Sequence, residues 1–228
     1  MTRTEQPFGA DPQPQVAAST GENRGSYDER LNHILEAATG VIARDGYEKA
    51  SMRAIAGAAG VSLAGLYHYF DSKERMLFLI EFRSFSSLLN NLREKLHGVD
   101  DPVEQLRVTV RAHVTYFASN MAALKVCSHE LDSLTGSAYE ETRRIRREYY
   151  EMARSIVARI VGTGEAQELD ARVATMSLFG TLNWLYRWYD PKRGPSPAAL
   201  ANQISEQFLC GVVGGASVQG NSNSTRPS

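Results

Sequence analysis

The chain has 228 residues, 43% of them hydrophobic and 22% charged, with a formal net charge of −1. These values suit a soluble globular protein with a real core, and they exclude a chain drawn to nucleic acid by its overall charge. Any such role must rest on a local patch.

Residues 1–26 are rich in Pro, Gln, Gly and Ser and read as a disordered tail, as does the stretch 214–228. Everything between reads as helix. Leu31, Ile34, Leu35, Ala38, Val41 and Ile42 recur at helical spacing, and Gly46 follows as a left-handed C-cap. Ser51 starts a short helix carrying Met52, Ile55 and Ala59, which Gly60 breaks. Ser62 is a good N-cap for a second short helix, and Asp71 or Ser72 caps the long one, "KERMLFLIEFRSFSSLLNNLREKL". Asp101-Pro102 opens the next helix, with Pro where its missing N–H costs nothing. Further helices are expected over about 103–119, 121–134, 137–161, 167–189 and 196–212, with breaks at Gly136, at "GTGE" (162–165) and at "DPKRGPSP" (190–197). The fold class is therefore all-α. A helix-turn-helix unit of three helices (27–75) is joined by a long helix to a larger C-terminal helical bundle, with 76–213 as the second domain.

Two short helices flanking the Gly60 turn give a helix-turn-helix, whose second helix enters the DNA major groove. Ile55, Ala58 and Ala59 are small or apolar enough for the helices to cross closely; Val61 and Leu66 plug the joint, and Phe70 pins the second helix. Ser62, Leu63, Gly65, Tyr67 and His68 face outward. Small residues let backbone approach base edges, while hydroxyls and imidazoles donate to phosphates. Lys73, in the first turn of the long helix, can share a phosphate with free N–H groups.

The stretch "AIAGAAGVSLAGLYHYFDSKERML" resembles the signature of the TetR family of bacterial transcriptional regulators, over about fifty residues from Leu31 to Leu77 and most specifically at "AGVS", "LY", "YF" and "SKE". The resemblance implies an all-helical homodimer on a palindromic double-stranded DNA operator, usually a repressor released by a small molecule. Family positions carried over are Ser51, Arg53, Ser62, Leu63, Gly65, Tyr67, His68, Tyr69 and Lys73. Of these, Ser51, Tyr67, Tyr69 and Lys73 are expected on phosphates, and Leu63, Gly65 and His68 on bases. Leu63, Ala64, Gly65 and Tyr69 depart from the usual family residues, which places the operator preference there. Leu63 could touch a thymine methyl.

In the C-terminal bundle, Leu178, Leu182, Leu185, Ile204, Phe208 and Leu209 are apolar at helical spacing and are either core or dimer interface. Phe82, Phe85, Leu89, His113, Phe117, Met121, Met152, Phe179 and Trp184 are candidate cavity residues, since pockets between helices are common ligand sites. In "ETRRIRREYYEM" the arginines alternate with acids at spacings that pair along a solvated helix face. The alternative is an anion clamp for a ligand, with Arg143 and Arg147 as its forks. The run "NWLYRWYDPKRGPSP" resembles the C-terminal part of TetR-type regulators of fatty-acid, sterol or aromatic-acid breakdown, which implies an acyl-CoA or a fatty or aromatic acid as effector.

Several classes are excluded on residue chemistry. Cys127 and Cys210 make no disulfide framework and fit a reducing cytosol. Cys127, His129 and Asp132 do not complete a metal coordination set. No cofactor loop or nucleophile elbow is present, so an enzyme is not expected. No apolar run reaches membrane-span length and no signal peptide opens the chain, which makes a cytoplasmic protein the expectation. The competing functional reading is a DNA-binding protein of the same fold controlled by a protein partner rather than a small molecule.

Overall fold

The computed structural model describes residues 21–162 and 169–213; of the tails expected at 1–26 and 214–228, residues 1–20 and 214–228 lie outside them, as does a helix start expected at 167, while residues 21–26 belong to the first helix rather than to a tail. Among the described residues every regular element is helical. The order is α1 (Gly21–Asp45), α2 (Met52–Ala58), α3 (Leu63–Tyr69), α4 (Lys73–Leu96), α5 (Pro102–Ala118), α6 (Met121–His129), a 3-10 turn (Leu131–Ser133), α7 (Gly136–Val161), α8 (Ala171–Asn183), α9 (Leu185–Trp188) and α10 (Pro197–Val213).

The boundaries follow local chemistry. Ser51, Ser62 and Ser72 each accept a bond from the backbone N–H three residues on, at 3.1, 3.0 and 3.1 Å. Of the two candidate caps for α4, Ser72 therefore supplies the bond. Gly46 and Gly60 sit at φ of +81° and +62°, the left-handed conformation that ends α1 and turns α2 into α3. Two expected helices are interrupted. The stretch 121–134 breaks at Glu130 and continues as the 3-10 turn, and 167–189 breaks at Trp184 into α8 and α9. Apolar periodicity runs through both points and conceals the breaks.

The described residues form two compact units, one of 21–90 and 119–149, the other of 91–118, 150–162 and 169–213. The core of the first includes Ile34, Ala38, Ile42, Ile55, Leu66, Phe70, Met76 and Leu77, and also Val126, Leu134 and Ala138 from the α6–α7 region. Helices α2 and α3 thus share a core with α6 and the start of α7. The seven-residue helices α2 and α3 are too short to persist alone in water, where about 12–15 residues are needed. They are held by Ile55, Ala56, Ala59 and Leu66. Ala58, expected at the crossing, is exposed, and Ala56 takes the buried position. In the second unit α10 packs along α5, and α8 also touches α5. Leu178, Leu182, Leu185, Ile204 and Leu209 are buried within the chain itself, while Phe208 is half-buried.

Candidate nucleic-acid interface

Helix α3 is amphipathic in a way that serves two neighbours. Leu66 is fully buried and Phe70, its C-cap, nearly so. The opposite face leaves Ser62, Leu63, Ala64, Tyr67 and His68 exposed and Gly65 half-buried. Leu63 at 37% and Tyr67 at 52% exposure are the large apolar-bodied side chains that this face presents outward. A Cβ on Gly65 would meet the Ser62 hydroxyl at 3.1 Å, the same oxygen that caps the helix. At Ser51 and Ser62 the hydroxyl accepts from backbone, so its own proton remains available to an outside acceptor such as a phosphate oxygen. Ser51 and Arg53 are both exposed at the start of α2.

Two of the side chains expected on phosphates have partners within the chain. Tyr69 is half-buried and stacks on Tyr27 of α1, with ring centroids 4.9 Å apart; the His68 ring meets it edge-on at 5.5 Å. Lys73 donates to the Tyr47 carbonyl at 2.6 Å and lies 4.1 Å from the centre of that ring. One lysine donor is thereby used and two remain for other acceptors. Sequence reading missed both Tyr27 and Tyr47. Both precede the motif, Tyr27 in α1 and Tyr47 in the turn before α2, and sequence spacing does not encode their contacts.

The candidate ligand residues divide between the two units. In the first, Phe82 stacks on Phe78 at 5.3 Å, Leu89 is buried and Met121 half-buried. Phe85 lies 6.2 Å from the buried Tyr149 ring and beneath the Arg146 guanidinium at 4.9 Å. Arg143 and Arg147 are exposed, and Arg143 pairs with Glu140 at 3.7 Å. In the second unit His113, Phe117 and Phe179 come together: His113 lies 4.8 Å from Phe117 and 6.0 Å from Phe179, which itself lies 6.1 Å from Tyr150. Burial alone drives His113 down to about 3, so its imidazole is neutral near pH 7. Met152 is half-buried. Trp184 does not join this cluster of rings. It is 52% exposed, alongside Val173 (57%), Met176 (57%) and Trp188 (55%), in a run on α8 and α9 at spacings of three to four residues and their multiples.

The arginine run was read as a solvated face or clamp, and Arg146 follows neither description. It turns inward and donates from one nitrogen to Glu81 at 3.1 Å and to the Cys127 carbonyl at 2.8 Å. Glu81 is 0% exposed; burial pushes its carboxyl up to about 7 against the downward pull of Arg146. A lone acid inside "MLFLIEF" was the available signal. The Cys127 thiol is likewise buried and pushed up to about 12, which makes it an inert core group.

Residues 34–80 match the family described as bacterial regulatory proteins, tetR family. Residues 99–212 match the tetracyclin repressor-like C-terminal domain. The fatty acid metabolism regulator protein of Bacillus subtilis is 25% identical over 181 residues, 78% of this chain and 93% of that protein. The crystal structure of the TetR family regulator PfmR from Thermus thermophilus is 32% identical with a TM-score of 0.68, covering 77% of this chain and 96% of that one. AibR, solved in complex with isovaleryl coenzyme A and operator DNA, is 25% identical with a TM-score of 0.68, covering 81% and 98%. The chain, with its exposed recognition face on a buried helix-turn-helix frame, belongs to the TetR family of bacterial transcriptional regulators and is a regulator, not an enzyme.

Proposed function

We propose that the protein is a cytoplasmic homodimeric repressor that binds a palindromic operator and is released by a small apolar or acyl-CoA-type ligand. The observation that carries the DNA-binding part is the exposed face of α3, where Leu63, Tyr67 and His68 stand on a helix fixed from behind by Leu66 and Phe70. On this reading Leu63, Gly65 and His68 meet base edges. Ser51, Tyr67, Tyr69 and Lys73 meet phosphates, with Arg53 beside them and Ser62 setting the start of the helix. Two such helices, one per subunit, give inverted half-sites. The exposed run Val173, Met176, Trp184 and Trp188 supports dimerisation through α8 and α9, since soluble monomers seldom leave four large apolar side chains in such a run.

The effector reading rests on the relatives. One is named for fatty acid metabolism and another was solved with isovaleryl coenzyme A. The neutral His113 and the rings of Phe117 and Phe179 suit an apolar acyl chain, with Met152 as an adaptable neighbour. Phe82, Phe85, Leu89 and Met121 form a separate apolar group within the first unit. The exposed Arg143 and Arg147 suit the phosphates or carboxylate of such a ligand. The test is a panel of CoA thioesters and free acids of graded chain length, read by release of labelled DNA. Graded release with chain length supports the reading; a flat response across the panel contradicts it.

A further inference from the structure

The first compact unit holds the helix-turn-helix together with α6 and the first part of α7, and specific polar ties join them. Glu74, in the first turn of α4, accepts from the backbone N–H and the hydroxyl of Thr135, both at 2.8 Å. Glu130, at the end of α6, accepts from the Tyr47 N–H at 3.2 Å and from the Ser133 hydroxyl at 3.1 Å. Tyr47 is the residue whose carbonyl takes Lys73. The head of α4 and the α1–α2 turn are thus both tied to the corner between α6 and α7. These ties are exposed or half-buried and are individually weak.

The tie two turns further along α4, at Glu81, is different in kind. Arg146 of α7 reaches Glu81 of α4 and the Cys127 carbonyl of α6 with the same nitrogen, so three helices meet at one guanidinium. Its plane also lies on Phe85 of α4. Glu81 is completely buried, yet its second carboxylate oxygen has no hydrogen-bond partner; the same holds for the buried hydroxyl of Thr142, one turn before Arg146 on α7. A carboxylate in that position is a poor choice for packing alone, because an apolar pair of similar volume would fill the space without a stranded oxygen. What the ion pair adds is direction: a guanidinium shared between a carboxylate and a carbonyl fixes the angle and register of α4 against α6 and α7.

We propose that Arg146, through Glu81 and the Cys127 carbonyl, is a positioning residue for DNA recognition: it fixes α4, and with it the helix-turn-helix at its head, in the pose that places α3 on its operator. The proposal rests on the DNA-binding reading above. It assigns to a residue far from the DNA-facing side chains a share of sequence specificity, and it names the place where a change in the α6–α7 region would be felt by the recognition helix.

The test uses the full chain and the duplex enriched from a random library by the wild-type protein. If no duplex is enriched, it is the DNA-binding reading that fails, and the two failures are told apart. With a duplex in hand, affinity is measured for it and for a scrambled duplex at the same salt. Phosphate contacts dominate the second value and base contacts enter only the first. The double variant Glu81→Leu, Arg146→Met replaces the pair with apolar groups. It is expected to lose at least tenfold in affinity for the enriched duplex while binding the scrambled one within about twofold. Arg146→Lys, which keeps the charge and a donor for Glu81, is expected to lose less than the double variant. A purely structural role would lower both affinities together, and that result overturns the proposal, as does wild-type binding of both duplexes. If the double variant does not fold, Glu81→Gln carries the test. It keeps the shape and an acceptor for Arg146 but not the charge, and a ratio of specific to scrambled affinity reduced at least threefold is expected. An unchanged ratio overturns the proposal.

Discussion

Replacing Lys73 by methionine keeps an unbranched side chain of similar length and removes the ammonium group, whose nitrogen lies 4.1 Å from the centre of the Tyr47 ring. The lysine uses one of its three donors on the Tyr47 carbonyl at 2.6 Å, so a phosphate can take another without breaking that bond. If each subunit of a dimer spends one such contact, the variant loses two phosphate contacts, and the slope of log affinity against log salt becomes shallower by about 1.8. Between 50 and 200 mM salt, a fourfold change, wild type should therefore lose about 12-fold more affinity than the variant. Loss of the charged hydrogen bond and the ring contact also costs about 1–2 kcal/mol of stability, so binding must be measured well below the melting transition. Fluorescence anisotropy of a labelled operator over a salt series reads the slope directly. A weakened affinity with an unchanged slope would refute the phosphate assignment and leave Lys73 as a strut for the α1–α2 turn. No change in either quantity would refute both roles.

Leu66→Ala removes about three carbons from a fully buried site in α3, worth about 3 kcal/mol with the residual cavity included. Hydrogen exchange should quicken most at the α3 amides while those of α5 and α10 keep their protection; a uniform change would mean that α3 is not an independently opening element. Met176→Glu places a charge in the exposed apolar run of α8 and should convert dimer to monomer in sedimentation while leaving helical circular dichroism unchanged; a dimer of undiminished strength would exclude that face. For Glu81 the folded carboxyl lies at about 7 against an ordinary 4.5, so between these values the folded chain holds a proton that the unfolded chain has released. Its contribution is fully present below about 4.5 and is lost as pH rises through about 7, with a ceiling of about 3 kcal/mol. Melting of Glu81→Gln relative to wild type should accordingly improve from pH 5 to pH 8, and a constant difference over that range would contradict the burial argument.

The parts of the fold legible in the sequence are those set by neighbours along the chain. Ser51, Ser62 and Ser72 cap helices because a serine hydroxyl three residues before a free N–H is a local arrangement, and Gly46 and Gly60 end helices because φ is a property of one residue. What escaped depends on distant residues. Arg146 and Glu81 stand 65 positions apart, so the arginine run read as a surface stripe when one of its members faces the core. Lys73 and Tyr47, and Tyr69 and Tyr27, pair across the motif for the same reason. The choice between core and interface in α8 was likewise closed to sequence, since Leu178 and Leu182 share the apolar character of Val173 and Met176. Only packing within the chain separates the first pair, buried, from the second, exposed. The breaks at Glu130 and Trp184 carry neither Gly nor Pro, the residues that mark most helix ends.

The central claim is that α3 reads a specific, two-fold symmetric DNA sequence. Selection of bound duplexes from a random library by the full chain, followed by sequencing, tests it most directly. The account predicts an enriched inverted repeat whose two half-sites lie a helical turn or a small multiple apart. Enrichment of no sequence over the input, or of a single half-site with no inverted partner, would contradict it.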